Sequence, residues 1–431
     1  MRIQRMIPAL AGLLSLISMA AFGQPPTPVS YEQYIRSGIP SKREIDVFLN
    51  ELSWAKFDPE MGYILGKYIP HDGLAQSSTI STIGKDGART SFMYAGKPCR
   101  INTYGNSFTQ CHQVGDGETW QEYLAAHLGE PIRNFGMGGY GVNQTYRRML
   151  REEKTDHGAE YLLFYIWGDD HIRSLLRCRY MLIQSWSKEQ DAREGVGRMF
   201  HGNFWPNLEM DLDNGQFVEH DNRIPVAKDL YKMTDPDWMY ANLKDDLALQ
   251  MALFKKGAIN TIDRTKLKQL AQCLHTTVDL DEANALPAAV GQLLDTYAFA
   301  ATKYLLAKTK AFAEQHHKKL MVILFDPYAV TKSLLNGGTR YDQTVVDYLT
   351  QNQFTYFDMN LIHVADYKQF NLSVDEYFKR YFIGHYNPAG NHFFAYSIRP
   401  RVVEWLSPKP ITYQNTQQQL VDFKGYLEGY R

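Results

Sequence analysis

Two nearly uninterrupted apolar runs, "EYLLFYIWG" (160–168) and "LMVILFDP" (320–327), constrain this chain more than any other feature. A half-buried strand alternates apolar and polar residues. A strand apolar at almost every position must be covered on both faces, as in the middle of a parallel sheet. Parallel strands need crossover helices, and the sequence supplies them. From Pro98 it reads strand ("RINTY"), helix ("TWQEYLAAHLG"), strand ("PIRNFG"), helix ("NQTYRRMLREEK"), then the first apolar run. After the second run come another strand ("FTYFDM") and a closing helix ("AGNHFFAYSIRPRVVEWL"). This alternation predicts an α/β fold around a parallel sheet.

The alternation breaks between the two runs. "NLEMDLDNGQFVEHD" carries a hairpin signal at Asp213-Asn214-Gly215, and residues from about 234 to 315 have helical periodicity. With 431 residues the chain exceeds the usual limit for one core, so insertions or a second domain are expected. The expected division is a signal peptide (1–23), an N-terminal extension packed on the core (24–95) and the first part of the α/β domain (96–185). An inserted hairpin and helical region (186–315), the second part of the domain (316–407) and a tail (408–431) complete it, the tail with a weak amphipathic helix over 417–430. Within the extension a short helix is predicted near Lys42–Leu52, followed by loops and short strands.

Charge narrows the function classes. Lys+Arg number 46 and Asp+Glu 47, a balance that offers nucleic acid no basic face. Arg2 and Arg5 precede the apolar run Ile7–Phe22, and small residues stand before "QPPTP". That is the pattern of a secretory signal peptide, so a secreted or periplasmic protein without stable membrane insertion is expected. The cysteines Cys99, Cys111, Cys178 and Cys273 lack metal-ligand spacing. One or two disulfides are possible in an oxidising compartment. No metal or cofactor is expected. Asp169, Asp170 and His171 are adjacent in the chain, and neighbours of that kind rarely converge on one ion. His316 and His317 read as surface residues at a helix end. The oligomeric state is open.

In open α/β sheets, ligands bind beyond the carboxyl ends of the strands. Four segments fall there. Ser107 follows "RINTY", "NFGMGGYG" (134–141) follows the second strand, "WGDDH" (167–171) the third, and "HYNPAGN" (385–391) precedes the last helix. Ser107 is either a helix cap or a nucleophile. A hydrolytic serine needs a base for its proton and donors for the developing oxyanion. His385 is a candidate base, and the Gly138–Gly141 stretch is either a tight turn or a source of backbone donors. Trp167, just before Gly168, is placed to line a pocket.

"GNSFT", "NFGMGGYG", "WGDD" and "HYNPAGN" resemble, in order, the four blocks of the SGNH (GDSL-type) hydrolase superfamily. The resemblance covers Pro98–His171 and about Lys318–Leu406. It implies a flavodoxin-like three-layer sandwich and a cofactor-free serine esterase, with Ser107 as nucleophile, Gly139 as an oxyanion-hole donor and His385 as base. Asn106, Trp167 and Asn387 are expected to lie at the substrate. The expected substrate is an ester, such as an acylated carbohydrate. A polysaccharide O-acyltransferase, or a carbohydrate-binding protein derived from such an enzyme, is the alternative.

Three positions depart from the blocks. Asn106 stands where the family has Asp, Asp169 where it has the oxyanion-hole Asn, and Phe382 where the acid partner of the histidine belongs. Asp375, Glu376 or a backbone carbonyl could orient His385 instead. Asp169 could act as a donor if burial kept it protonated. An Asn106–Asp169 contact could preserve the family's pairing with its partners exchanged. An unperturbed histidine base predicts activity rising with pH through about 6.5.

Overall fold

The computed structural model describes residues 27–414. The expected signal peptide and the helix over 417–430 lie outside them. Five short strands form the sheet: β1 (Ile101–Tyr104), β2 (Arg133–Asn134), β3 (Tyr161–Ile166), β4 (Lys319–Leu324) and β5 (Thr355–Asp358). Their spatial order is β2-β1-β3-β4-β5, and every pairing is parallel. This is the flavodoxin-like order, in which the crevice beside the first strand collects ligands.

Covering both faces accounts for the apolar runs. Side chains alternate across a strand. Leu162, Phe164 and Ile166 enter the core shared with α3 (Val142–Glu152) and α4 (Leu286–Gln315). Tyr161, Leu163 and Tyr165 enter the opposite core, with α2 (Trp120–Leu128) and α5 (Pro388–Trp405). All six β3 residues are buried. Each large apolar side chain so placed contributes about 1.5–3 kcal/mol. The strand is therefore a firm base for the segment that follows it.

The chain leaves the sheet after Ile166 and returns at Lys319. Between lie short helices and the hairpin Asn207–Asp211/Gln216–His220, with Gly215 at φ +68 in its turn. The last helix of this region, α4, packs Leu293 and Leu294 into the same core as Leu162 and Val322. It is the crossover from β3 to β4, although the sequence pattern assigned it to the insertion. Apolar periodicity alone does not say which neighbour a helix packs against.

The N-terminal extension has two capped helices, Tyr31–Ser37 and Lys42–Asn50, and a small hairpin, Ala55–Asp58/Gly62–Leu65. The hairpin packs on the loop after β2: Tyr140 Oη donates to Tyr63 O at 2.6 Å and Tyr63 Oη to Gly138 O at 3.1 Å. All four cysteines are unpaired. No helix among the described residues is long and apolar enough to cross a membrane.

Candidate active site

The segment after β1 makes a single helical turn, α1 (Ser107–Gln110). Asn106 is its cap: Oδ1 accepts from Phe108 N at 2.8 Å, and Nδ2 donates to the Asp170 carboxylate. Asn106 is fully buried and therefore holds the turn from beneath. Ser107 is the first helical residue, 7% exposed. The turn ends abruptly because Cys111 and Gln113 both take left-handed backbone conformations, at φ +58 and +73. Non-glycine residues seldom do so, and such strain concentrates at functional sites.

That reversal brings Gln113 to the far side of His385. His385 Nε2 lies 2.7 Å from Ser107 Oγ, and its Nδ1 lies 3.0 Å from Gln113 Oε1. The same Oε1 accepts the His385 backbone N–H at 2.8 Å, and Gln113 Nε2 donates to the Asp72 carbonyl at 2.8 Å. Inverting the amide would set donor against donor and acceptor against acceptor, so these two backbone contacts fix its orientation. Nδ1 is then the protonated ring nitrogen, leaving Nε2 to accept from the serine.

Neither acidic candidate near the last block reaches the imidazole. Asp375 is exposed and pairs with Lys332 at 2.9 Å, and Glu376 caps its own helix through Ser373. The carboxylate associated with the site comes from the N-terminal extension. Asp72 Oδ2 is 2.6 Å from His112 Nε2, and the His112 ring stacks on that of His385 at 5.0 Å. Burial pushes the Asp72 pKa up, but the neighbouring histidines and the Thr79 hydroxyl outweigh it and hold the group at about 2. His385 keeps some exposure, yet its ring lies deep among protein atoms. Loss of hydration pushes it down to about 3, with His112 adding to the effect and Asp72 opposing it.

Gly139 has φ +85, which suits glycine, and a Cβ there would stand 2.1 Å from Arg179 Nη1 and 2.6 Å from Tyr63 Oη. Among the described residues neither Ser107 N–H nor Gly139 N–H donates to a protein acceptor.

The third block differs from expectation in an instructive way. Asp169 is two-thirds exposed, with its carboxylate 3.3 Å from Arg173 Nη2, so the buried donor anticipated at this position does not form. Asn106 meets the next residue, Asp170, which is 1% exposed, accepts Trp167 N–H at 2.9 Å and pairs with Arg173 Nη1 at 3.1 Å. Burial outweighs those partners and raises the Asp170 pKa to about 7. Asp169 lines a separate cavity of about 430 Å³ with Asp326 and Tyr341. His171 turns away to Thr302 Oγ1 at 2.8 Å, and burial lowers it to about 4.

Trp167 is partly buried between the Phe108 ring, at 6.0 Å, and the Arg173 guanidinium, at 4.9 Å. Asn387 caps α5, accepting Gly390 N–H at 2.9 Å and donating to Arg380 O at 3.0 Å. The structure thus joins Ser107 and His385 directly and brings Gln113, His112 and Asp72 to them. Asn106 and Asn387 are held in caps. The chain matches no family model and no curated protein.

Proposed function

We propose that this protein is a serine esterase of SGNH type, exported, acting on an ester such as an acylated carbohydrate through an acyl-serine. The observation that carries this reading is the relay Ser107 Oγ–His385 Nε2 at 2.7 Å with His385 Nδ1 on Gln113 Oε1 at 3.0 Å. A serine, a base and an orienting acceptor within hydrogen-bond reach are the parts of nucleophilic acyl transfer, and their roles are recognised by geometry rather than by which residue supplies them.

His385 takes the Ser107 proton as Oγ bonds to the ester carbonyl carbon, whose oxygen becomes an oxyanion facing the Ser107 and Gly139 N–H groups. The imidazolium then protonates the departing alkoxide, leaving an acyl-serine. Water, deprotonated by the same histidine, releases the acid and restores the hydroxyl. Gln113 keeps the reactive tautomer in place but brings no full charge to the imidazolium. The nearest carboxylate, Asp72, acts past His112.

The test is reaction of the mature protein with a fluorophosphonate, followed by peptide mapping. Modification at Ser107 that disappears in Ser107→Ala and His385→Ala is the expected result. A folded protein that remains unmodified over hours of exposure overturns the reading.

A further inference from the structure

We propose that Arg179 is a catalytic residue, its guanidinium supplying the oxyanion-hole donor that the third block lacks. This rests on the acyl-serine reading above. The third block offers a carboxylate, Asp169, where an amide donor would be needed, and that carboxylate turns outward to Arg173.

Arg179 lies against Gly139, the residue whose N–H the acyl-serine reading places in the oxyanion hole. Its Nη1 is buried without a hydrogen-bond partner, and the guanidinium is pressed against Gly139, where even a methyl group would displace it. Among the described residues no acidic side chain forms an ion pair with it; both nearby aspartates are taken by Arg173. Burying an unpaired charged donor is costly, and one held beside the oxyanion-hole glycine is placed to meet the negative charge that the acyl-serine reading develops there.

A chain of contacts runs from the neighbours of Arg179 to the His385 ring. Tyr63, beside Arg179, bonds Gly138 O, and Gly138 packs on the indole of Trp54. Trp54 stacks on His112 at 5.2 Å, and His112 on His385. Loss of hydration lowers the Arg179 pKa to about 10, so it remains charged at neutral pH. In the reaction it accepts no proton. It donates hydrogen bonds to the carbonyl oxygen as the Ser107 Oγ–carbon bond forms, and releases it when the carbonyl re-forms.

The experiment compares wild type, Arg179→Lys and Arg179→Ala on two aryl esters, neutral 4-nitrophenyl acetate and anionic 4-nitrophenyl hemisuccinate. Fluorophosphonate labelling rates are measured alongside, and near-UV circular dichroism confirms folding. Removal of one oxyanion donor lowers kcat by about 10²–10³-fold. Arg179→Ala is expected to lose that much on both esters, with KM changed less than about threefold and labelling slowed in parallel. Added guanidinium ion is expected to restore part of the rate, which a structural defect would not allow. Arg179→Lys keeps the charge without the fork and falls between. A rise in KM confined to the hemisuccinate would overturn the proposal in favour of an anion-specificity role, and unchanged kinetics would overturn it outright. A wild type inert to the fluorophosphonate would remove the acyl-serine reading itself.

Discussion

The side-chain oxygen of Gln113 contacts His385 twice, at the ring Nδ1 (3.0 Å) and at the backbone N–H (2.8 Å). One atom therefore sets both the tautomer of the imidazole and the position of the segment that carries it. In the proposed esterase a neutral amide takes the place of the acid of the usual triad, and the amide is itself anchored through Nε2 to the Asp72 carbonyl.

Gln113→Ala removes the acceptor and frees the ring to adopt the unproductive tautomer. Loss of tautomer control in a triad costs up to about 10⁴ in kcat, and a fall of about 10²–10⁴ in the Ser107 labelling rate is expected. Gln113→Glu places a negative charge beside Nδ1, which favours the protonated imidazole. Its acid limb should move to higher pH than that of wild type. An unshifted limb in this variant would show that residue 113 does not face the base.

The pH profile follows from burial of the base. Because loss of hydration holds His385 at about 3, the ring is neutral and able to accept a proton at any higher pH. The labelling rate is expected to stay flat from pH 8 to about pH 5 and to fall only on approach to about pH 3. An inflection near 6.5, the value anticipated from an unperturbed histidine, would mean that the ring is hydrated. The same shift has a stability consequence: the unfolded chain takes up this proton below about 6.5, so stability declines as pH falls from there toward 3. Circular dichroism alongside the kinetics separates the two effects.

Asp72→Asn distinguishes charge from position. The variant keeps the main-chain carbonyl that anchors Gln113 but loses the carboxylate beside His112 and the electrostatic support of the His385 imidazolium. A labelling rate lower by about tenfold is expected, corresponding to about one pKa unit. The Asp72 carboxyl is held below its unfolded value, at about 2. Its contribution to stability, about 2 kcal/mol, is present above about pH 4 and lost as pH falls toward 2. The variant should be correspondingly less stable to urea at pH 7 but not at pH 2. Equal rates would leave Asp72 with an anchoring role alone.

Gly139→Ala tests the glycine. A left-handed backbone costs an alanine about 1–2 kcal/mol, and its Cβ would overlap Arg179 Nη1 and crowd Tyr63 Oη. Denaturant titration should show a loss of at least that size. The labelling rate of the folded fraction should also drop, because the guanidinium is displaced. A variant as stable and as reactive as wild type would mean that the loop moves without consequence.

The sequence by itself determined the sheet and the two ends of the relay. Apolar runs such as "EYLLFYIWG" have no stable place except between two covered faces, and strand–helix alternation makes the sheet parallel. Parallel strands then bring Ser107 and the loops at Gly139 and Trp167 to a common edge. Tertiary structure decided what the local pattern cannot express. Asp169 and Asp170 are neighbours on one turn, where successive side chains point about 100° apart, and only packing chose which one meets Asn106. Gln113 reaches His385 because Cys111 and Gln113 adopt left-handed conformations that propensity does not anticipate. Asp72, Tyr63 and Arg179 come from segments outside the sheet, and only the packed core brings Asp72 to His112 and Gln113, and Tyr63 and Arg179 to Gly139.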